Sequence, residues 1–200
     1  MNAPPARSAR FALRDATAEA HQAVEAGFSR LNLRKVEDYR TFLSCLAAAF
    51  LPLEAALEAG GIIRFLPDWP ERRRRDLLTQ DLADLGAAAA PLDIPPLPHD
   101  APALLGTAYV LEGSRLGGRA ILTGFGPETD PRVRAATRFL TPDAGTRRLW
   151  TLLLSTLDHR LSDNLARERA AEAANRAFAC FGRAQQVTTT SQRTGIPAHA

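Results

Sequence analysis

Cysteine is scarce in this 200-residue sequence, which contains only Cys45 and Cys180. Neither has another cysteine or a histidine at the spacing of a zinc or iron–sulfur site. Two isolated thiols also exclude the dense disulfide framework of small secreted domains. We therefore expect two buried free thiols and a reducing, cytoplasmic location.

Long apolar runs and lysine are missing as well. No stretch approaches the roughly 18 consecutive apolar residues of a transmembrane helix, and residues 1–7 lack the apolar core of a signal peptide. Lys35 is the only lysine, so arginine supplies nearly all the positive charge of a chain whose net charge is +3. We attribute this bias to a GC-rich genome. Neither a membrane nor a nucleic acid is expected as a partner.

Several enzyme motifs are absent. There is no Gly-x-Ser-x-Gly elbow of a hydrolase, and residues 113–118 (GSRLGG) lack the lysine of a phosphate-binding loop. No His-x-x-x-His or Glu-x-x-His pair predicts a zinc or di-iron site. No flavin or nicotinamide fingerprint is present either.

The apolar pattern that is present has a helical period and predicts an all-α fold. We expect a single domain over residues 1–186, followed by a disordered polar tail over residues 187–200. Residues 87–102 hold five prolines and predict an extended connector. The predicted helices cover residues 11–28, 37–58, 71–85, 103–122, 131–140, 145–161 and 165–186.

Three glycines, Gly113, Gly117 and Gly118, fall in a stretch of six residues inside the predicted helix over 103–122. Each interior glycine costs a helix about 1 kcal/mol relative to alanine, so the run needs a reason. Gly113 and Gly117 share one face, which Gly106 and Gly124 extend by seven residues each way. A closely crossing helix and a flat ligand near the backbone are both open interpretations. The polar neighbours that favour a ligand are Tyr109, Ser114, Arg115 and Arg119.

His21 is the leading candidate for chemistry. It lies at the edge of the apolar stripe of the first predicted helix, where a histidine is most often simply packed. Arg14 is seven residues earlier on nearly the same side, roughly 10 Å along the axis. This distance suits an axial ligand at the centre of a macrocycle and a cation at its carboxylate edge. Glu25, four residues later, could hold the second imidazole nitrogen, although both charges are also typical of a solvated helix edge.

The densest basic run is Arg72-Arg73-Arg74-Arg75, between Glu71 and Asp76. A solvated helix start is the simpler interpretation. The alternative is a docking patch for an acidic protein partner. No aromatic residues alternate with the arginines, which argues against a groove for single-stranded nucleic acid.

Two segments together resemble the heme oxygenase family, in particular its bacterial biliverdin-producing branch. Residues 13–25 (LRDATAEAHQAVE) resemble the family's proximal helix, with its Leu-Arg/Lys-x-Ala-Thr-x-x-x-His-x-x-x-Glu pattern. Residues 109–118 (YVLEGSRLGG) resemble its distal helix. The order and separation of the two segments also fit, and the resemblance extends over about residues 8–185.

The resemblance implies a role for each candidate residue. His21 corresponds to the axial ligand of the heme iron. Gly113 and Gly117 correspond to the distal glycines, and Ser114 stands where animal enzymes carry an aspartate that organises ordered water. Arg14 matches a basic position associated with the heme propionates. The remaining residues implied in cofactor binding are Glu25, Tyr109 and Gly118.

The function implied is oxidative cleavage of heme b, which is both cofactor and substrate, to biliverdin, carbon monoxide and ferrous iron. O2 would be consumed, and a ferredoxin or flavoprotein reductase would supply electrons from outside. Arginines near the heme edge, including Arg72 to Arg75, could meet that acidic donor. A non-catalytic heme carrier or sensor on the same scaffold is the alternative.

Overall fold

The computed structural model describes residues 8–194, and over 189–194 only their backbone. The described part is helical and contains no strand, which confirms the all-α prediction. A single 3-10 turn, Ile62–Arg64, follows the second helix. The α-helices are α1 (Ala9–Phe28), α2 (Val36–Ala59), α3 (Trp69–Arg72), α4 (Arg75–Asp84), α5 (Ala101–Thr123), α6 (Pro131–Ala135), α7 (Thr146–Arg160) and α8 (Asn164–Thr194).

Helices α5 and α8 form the centre of the fold, and α1 and α2 pack against α8. Gly106 permits the close crossing of α5 and α8, because a Cβ at this position would collide with the carbonyl group of Ala170. Between α4 and α5 the chain runs without helix or strand to Asp100, whose carboxylate caps α5 by accepting from the Ala103 amide at 3.0 Å.

Helix α2 is the most apolar long helix. Its length would suit a membrane span, and so would the mean hydropathy of 1.6 of its most apolar 18-residue stretch. However, 56% of that stretch is buried inside the protein. Side chains such as Phe50, Leu53 and Leu57 are almost fully enclosed by the other helices. Its apolar character therefore matches its position in the core.

The predicted helix over 71–85 is divided into α3 and α4. Arg73 is extended (φ −60°, ψ 135°), and the carboxylate of Glu54 accepts from the amides of Arg74 and Arg75 at 2.8 and 3.2 Å. A buried acid on α2 thus satisfies the first amides of α4, which makes the break possible. The sequence alone gives no sign of this contact because Glu54 is 20 residues away.

Helix α8 is longer than predicted. It continues to Thr194, through residues 187–194 of the segment for which the sequence predicts a disordered tail. The Thr188 hydroxyl donates to the Ala184 carbonyl at 2.9 Å, so a polar residue here is compatible with continued helix. Residues 195–200 of the predicted tail lie outside the described residues.

Helix α1 is attached to α7 and α8 by three polar contacts. The Ala9 amide donates to Asp158 at 2.7 Å, so a side chain of α7 satisfies the first amide of the helix. The side chains of Asn175 and Gln185, both on α8, donate to carbonyls farther along α1 at 3.1 and 2.8 Å. These contacts fix the position of the helix that carries His21.

Candidate ligand cleft between helices α1 and α5

A cleft of about 480 Å³ lies between α1 and α5, with α8 behind it. Its volume is within the range of small-molecule sites. Polar groups enter from α1 and α5, whereas most of the wall is apolar. The apolar wall residues are Val24, Leu46, Val110, Leu116, Trp150, Phe178 and Phe181.

The cleft brings together residues that are nearly 100 positions apart in the sequence. Seven of the eight predicted site residues line it, on α1 and α5 in the two groups that the sequence indicated. These seven are Arg14, His21, Glu25, Tyr109, Gly113, Ser114 and Gly117. The packing of α1 and α5 against α8 produces this arrangement.

His21 presents an accessible imidazole to the cleft. Its side chain is 55% exposed, and its ring meets the ring of Phe178 edge to face at 5.7 Å. The Nδ1 atom lies 3.5 Å from Oε2 of Glu25, as expected from the i,i+4 spacing. Nε2 is thereby left as the nitrogen suited to a ligand. Within residues 8–194 no group of three or more His, Cys, Asp or Glu side chains is placed to hold a metal ion, so this imidazole would act alone.

Gly113 and Gly117 face open space. A Cβ built at either glycine would meet no atom within 4 Å, so neighbouring helices do not require the missing side chains. Gly106 differs, because its Cβ would strike α8. The glycine stripe therefore has two roles: helix packing at one end and a bare backbone surface on the cleft.

Gly118 differs from the other seven predicted site residues, because it does not line the cleft. A Cβ at Gly118 would lie 2.8 Å from the carbonyl oxygen of Leu140 and 3.1 Å from its Cα atom. One residue along a helix turns the Cβ direction by about 100°, so Gly117 and Gly118 face different surroundings. Gly118 serves the packing of α5 against the segment after α6.

Tyr109 and Arg14 both line the cleft. The Tyr109 ring lies 5.7 Å from the ring of Trp150, and burial raises the pKa of its phenol, an effect that Arg10 and Arg14 oppose. The hydroxyl therefore stays protonated at neutral pH. The Arg14 guanidinium is 5.0 Å from the Phe11 ring and donates to Asp15 at 3.0 Å. Its side chain is 57% exposed, so it remains accessible to an anionic ligand.

The arginine run is divided between the interior and the surface, so neither sequence interpretation holds for the whole run. Arg72 and Arg74 are 1% and 2% exposed, so these two side chains belong neither to a solvated face nor to a docking patch. The Arg72 guanidinium pairs with Asp68 and with the buried Glu112, each at 2.8 Å. Arg73, which lies between Arg72 and Arg74, has an extended backbone, and its side chain points outwards and is 47% exposed.

Sequence reasoning missed the side chains that support the cleft from behind. Arg74 donates to Ser114 Oγ at 2.8 Å, and Trp150 and Phe178 close the wall around Tyr109 and His21. One signal was available: Glu54 lies among apolar residues of helix α2 and needs a buried partner. Its partners are the first amides of α4.

Three comparisons with known proteins agree. The family described as Heme oxygenase matches residues 8–186. The chain is 34% identical over 115 residues to a heme oxygenase of Xanthomonas campestris pv. campestris (strain 8004), and the match covers 56% of this chain and 67% of that protein. The fold resembles a crystal structure of NO- and CO-bound heme oxygenase from Neisseria meningitidis, with a TM-score of 0.75 and 23% identity over 98% of this chain and 96% of that one. The family match over most of the chain, the relative and the shared fold together show that this chain belongs to the heme oxygenase family.

Proposed function

We propose that this chain binds heme b in the cleft between α1 and α5 and cleaves it to biliverdin, carbon monoxide and ferrous iron. The observation that carries the proposal is the accessible His21 imidazole on one helix and the bare backbone of Gly113 and Gly117 on the other. Family membership supports heme degradation as the general reaction.

The cleft suits a flat, largely apolar ligand with acidic groups at one edge. Apolar walls such as Val110 and Phe181 would cover the faces of the ring, and the absence of side chains at the glycines leaves room for a small molecule above it. When bound, heme supplies the iron that activates O2 and the carbon framework that is oxidised. The protein supplies orientation, shielding and protons.

On α1, His21 would coordinate iron through Nε2 while Glu25 orients the ring through Nδ1. Arg14 would neutralise a propionate, because its guanidinium is exposed at the cleft and matches carboxylate geometry. The protonated Tyr109 hydroxyl, on α5, is a second donor for such a carboxylate.

On α5, backbone groups near Gly113 and Gly117 and the Ser114 hydroxyl would hold water in the cleft. Ordered water at this position would deliver protons to the reacting oxygen, since no histidine or carboxylate of α5 lines the cleft. A ferredoxin or flavoprotein reductase would supply the electrons, and we place the reaction in the cytoplasm.

The test is a hemin titration of the wild type and of His21→Ala, followed by addition of a reductant in air. We expect a defined Soret band in the wild type, its loss on turnover and a biliverdin product. H21A should bind hemin more weakly and yield no biliverdin. His159→Ala is the matched control, because His159 is an exposed histidine on α7 outside the cleft.

Two outcomes would contradict the proposal. A wild-type complex that keeps its Soret band through repeated reduction in air would assign the chain a carrier or sensor role. Failure of the wild type to bind hemin would remove heme as the ligand altogether.

A further inference from the structure

Arg74 is a buried cation directly behind the cleft. Its guanidinium carbon packs against the rings of Phe50 and Phe139, 5.0 and 4.6 Å from their centroids, and these two rings meet each other edge to face at 5.0 Å. Among residues 8–194 no carboxylate oxygen lies within 4 Å of this guanidinium. The aromatic faces provide cation–π contact, but not the paired acid that a buried arginine usually has.

This placement is unfavourable for stability. The Nε and Nη1 atoms of Arg74 are buried, and within the described residues they have no hydrogen-bond partner. Burial, together with the nearby Arg115, lowers the pKa of Arg74 to about 9, so it is still charged at pH 7. A charged group with unpaired donors is costly to bury. Features that oppose stability in this way are common at functional sites.

The third nitrogen, Nη2, makes the contacts that distinguish Arg74. It donates to the Leu111 carbonyl at 2.5 Å and to Ser114 Oγ at 2.8 Å, and Ser114 Oγ in turn donates to the same Leu111 carbonyl at 2.7 Å. Arginine has no acceptor, so the direction of the bond to Ser114 is fixed. Ser114 lines the cleft, whereas Arg74 does not.

These bonds determine what the Ser114 hydroxyl can offer. A serine hydroxyl has one proton and two lone pairs. The proton is committed to Leu111, and Arg74 occupies one lone pair. One lone pair remains for the cleft.

We propose that Arg74 is a positioning residue that makes Ser114 a hydrogen-bond acceptor, and not a donor, towards the cleft. The proposal rests on the proposed function of the cleft and specifies its polar site. A water bound to Ser114 must donate one proton to it, which leaves the second proton free to point at the ligand. The terminal proton donor in the cleft is therefore water, held by Ser114, and Arg74 acts only through that serine.

The test is a double-mutant cycle with Arg74→Met, Ser114→Ala and the double variant. The readout is the C–O stretching band of the ferrous heme–CO complex, because a hydrogen bond to the bound CO lowers this frequency. We expect R74M and S114A each to shift the band to higher frequency. The double variant should show no further shift beyond S114A alone.

Thermal unfolding of the heme-free protein separates positioning from packing. Methionine fills a similar volume without a buried charge, so R74M should keep or raise Tm. If R74M does not fold, Arg74→Lys takes its place in the cycle. Its single ammonium cannot bridge Leu111 and Ser114 as the planar fork does, so R74K should cause a smaller shift that is also lost in the S114A background.

Additive band shifts, or an unchanged band in R74M, would overturn the proposal. A large loss of Tm in R74M together with an unchanged band in R74K would assign Arg74 a structural role and would overturn it as well. A wild type that binds no hemin would refute the proposed function itself and this inference with it. A wild type that binds hemin while the cycle is additive would refute only the role of Arg74.

Discussion

Adjacent glycines on α5 provide a direct test of the cleft. Gly117→Ala adds a methyl group where no atom lies within 4 Å, and alanine is favoured over glycine in a helix by up to about 1 kcal/mol. For a domain of this size, such a gain raises Tm by about 2–4 °C. We therefore expect heme-free G117A to be more stable than the wild type.

Gly118→Ala should have the opposite effect. Its methyl carbon would lie 2.8 Å from the carbonyl oxygen and 3.1 Å from the Cα of Leu140, and both are backbone atoms that cannot rotate away. Overpacking of this kind costs about 1–3 kcal/mol, which exceeds the gain in helix propensity. The expected result is a net loss of about 1 kcal/mol and a fall in Tm of about 2–4 °C.

The assay has two parts: thermal unfolding of the heme-free proteins, then hemin affinity and biliverdin yield. G117A should lose affinity or yield despite its higher Tm, because its methyl group enters the space proposed for the ligand. G118A, assayed at a temperature at which it is folded, should retain both hemin affinity and biliverdin yield. Equal Tm changes in the two variants would refute the orientation of α5. A stabilised G117A with wild-type affinity and yield would refute a ligand role for the bare backbone.

Three further predictions concern the interior. Arg72→Gln removes the closer of the two arginine partners of the buried Glu112 and leaves only Arg115, at 3.3 Å. This change should lower the free energy of unfolding, measured in urea, by about 3 kcal/mol, whereas Arg73→Gln should change it by less than about 0.5 kcal/mol. Similar losses in the two variants would contradict the division of the arginine run between interior and surface. Burial raises the pKa of Glu54 above 4.5, so the folded protein binds this proton at a higher pH than the unfolded chain does. The stability advantage of the wild type over Glu54→Gln should accordingly widen as the pH falls from 7 towards 4.5, and a gap that narrows would exclude this account. Burial also raises the pKa of the Cys45 thiol, so a disulfide reagent should label it only on unfolding; rapid labelling of the native protein would show that the thiol is accessible.

The sequence predicted α1 and α5 well because the residues that line the cleft belong to regular sequence patterns in both helices. The apolar period of α1 places His21 at the edge of a stripe, and the glycines of α5 are unusual enough to require an explanation. Both motifs therefore identified the two sides of the cleft before any tertiary contact was known. The motifs could not separate Gly117 from Gly118, because the difference lies in Leu140, more than 20 residues away.

The arginine run shows where such reasoning fails. In the local sequence, four consecutive arginines indicate a solvated surface, since charged residues are seldom buried unless they are paired. Here the buried partner of Arg72 is Glu112, 40 residues later, and Arg74 packs against the aromatic rings of Phe50 and Phe139 from other segments. Only the tertiary fold brings these groups together, so neither the burial nor the break between α3 and α4 could be read from local sequence.

The three side-chain bonds that hold α1 also limit how the ligand position could change. The helix is held near its start, middle and end by Asp158, Asn175 and Gln185, respectively. Each of these side chains forms a hydrogen bond with one backbone amide or carbonyl of α1. Sliding α1 by a single turn would take the free amide of Ala9 away from Asp158, and it would bring a larger residue to the place where Gly27 now packs against Gln185. A coordinating side chain could therefore be moved along this helix only by substitution at a new position, and not by a gradual shift in register.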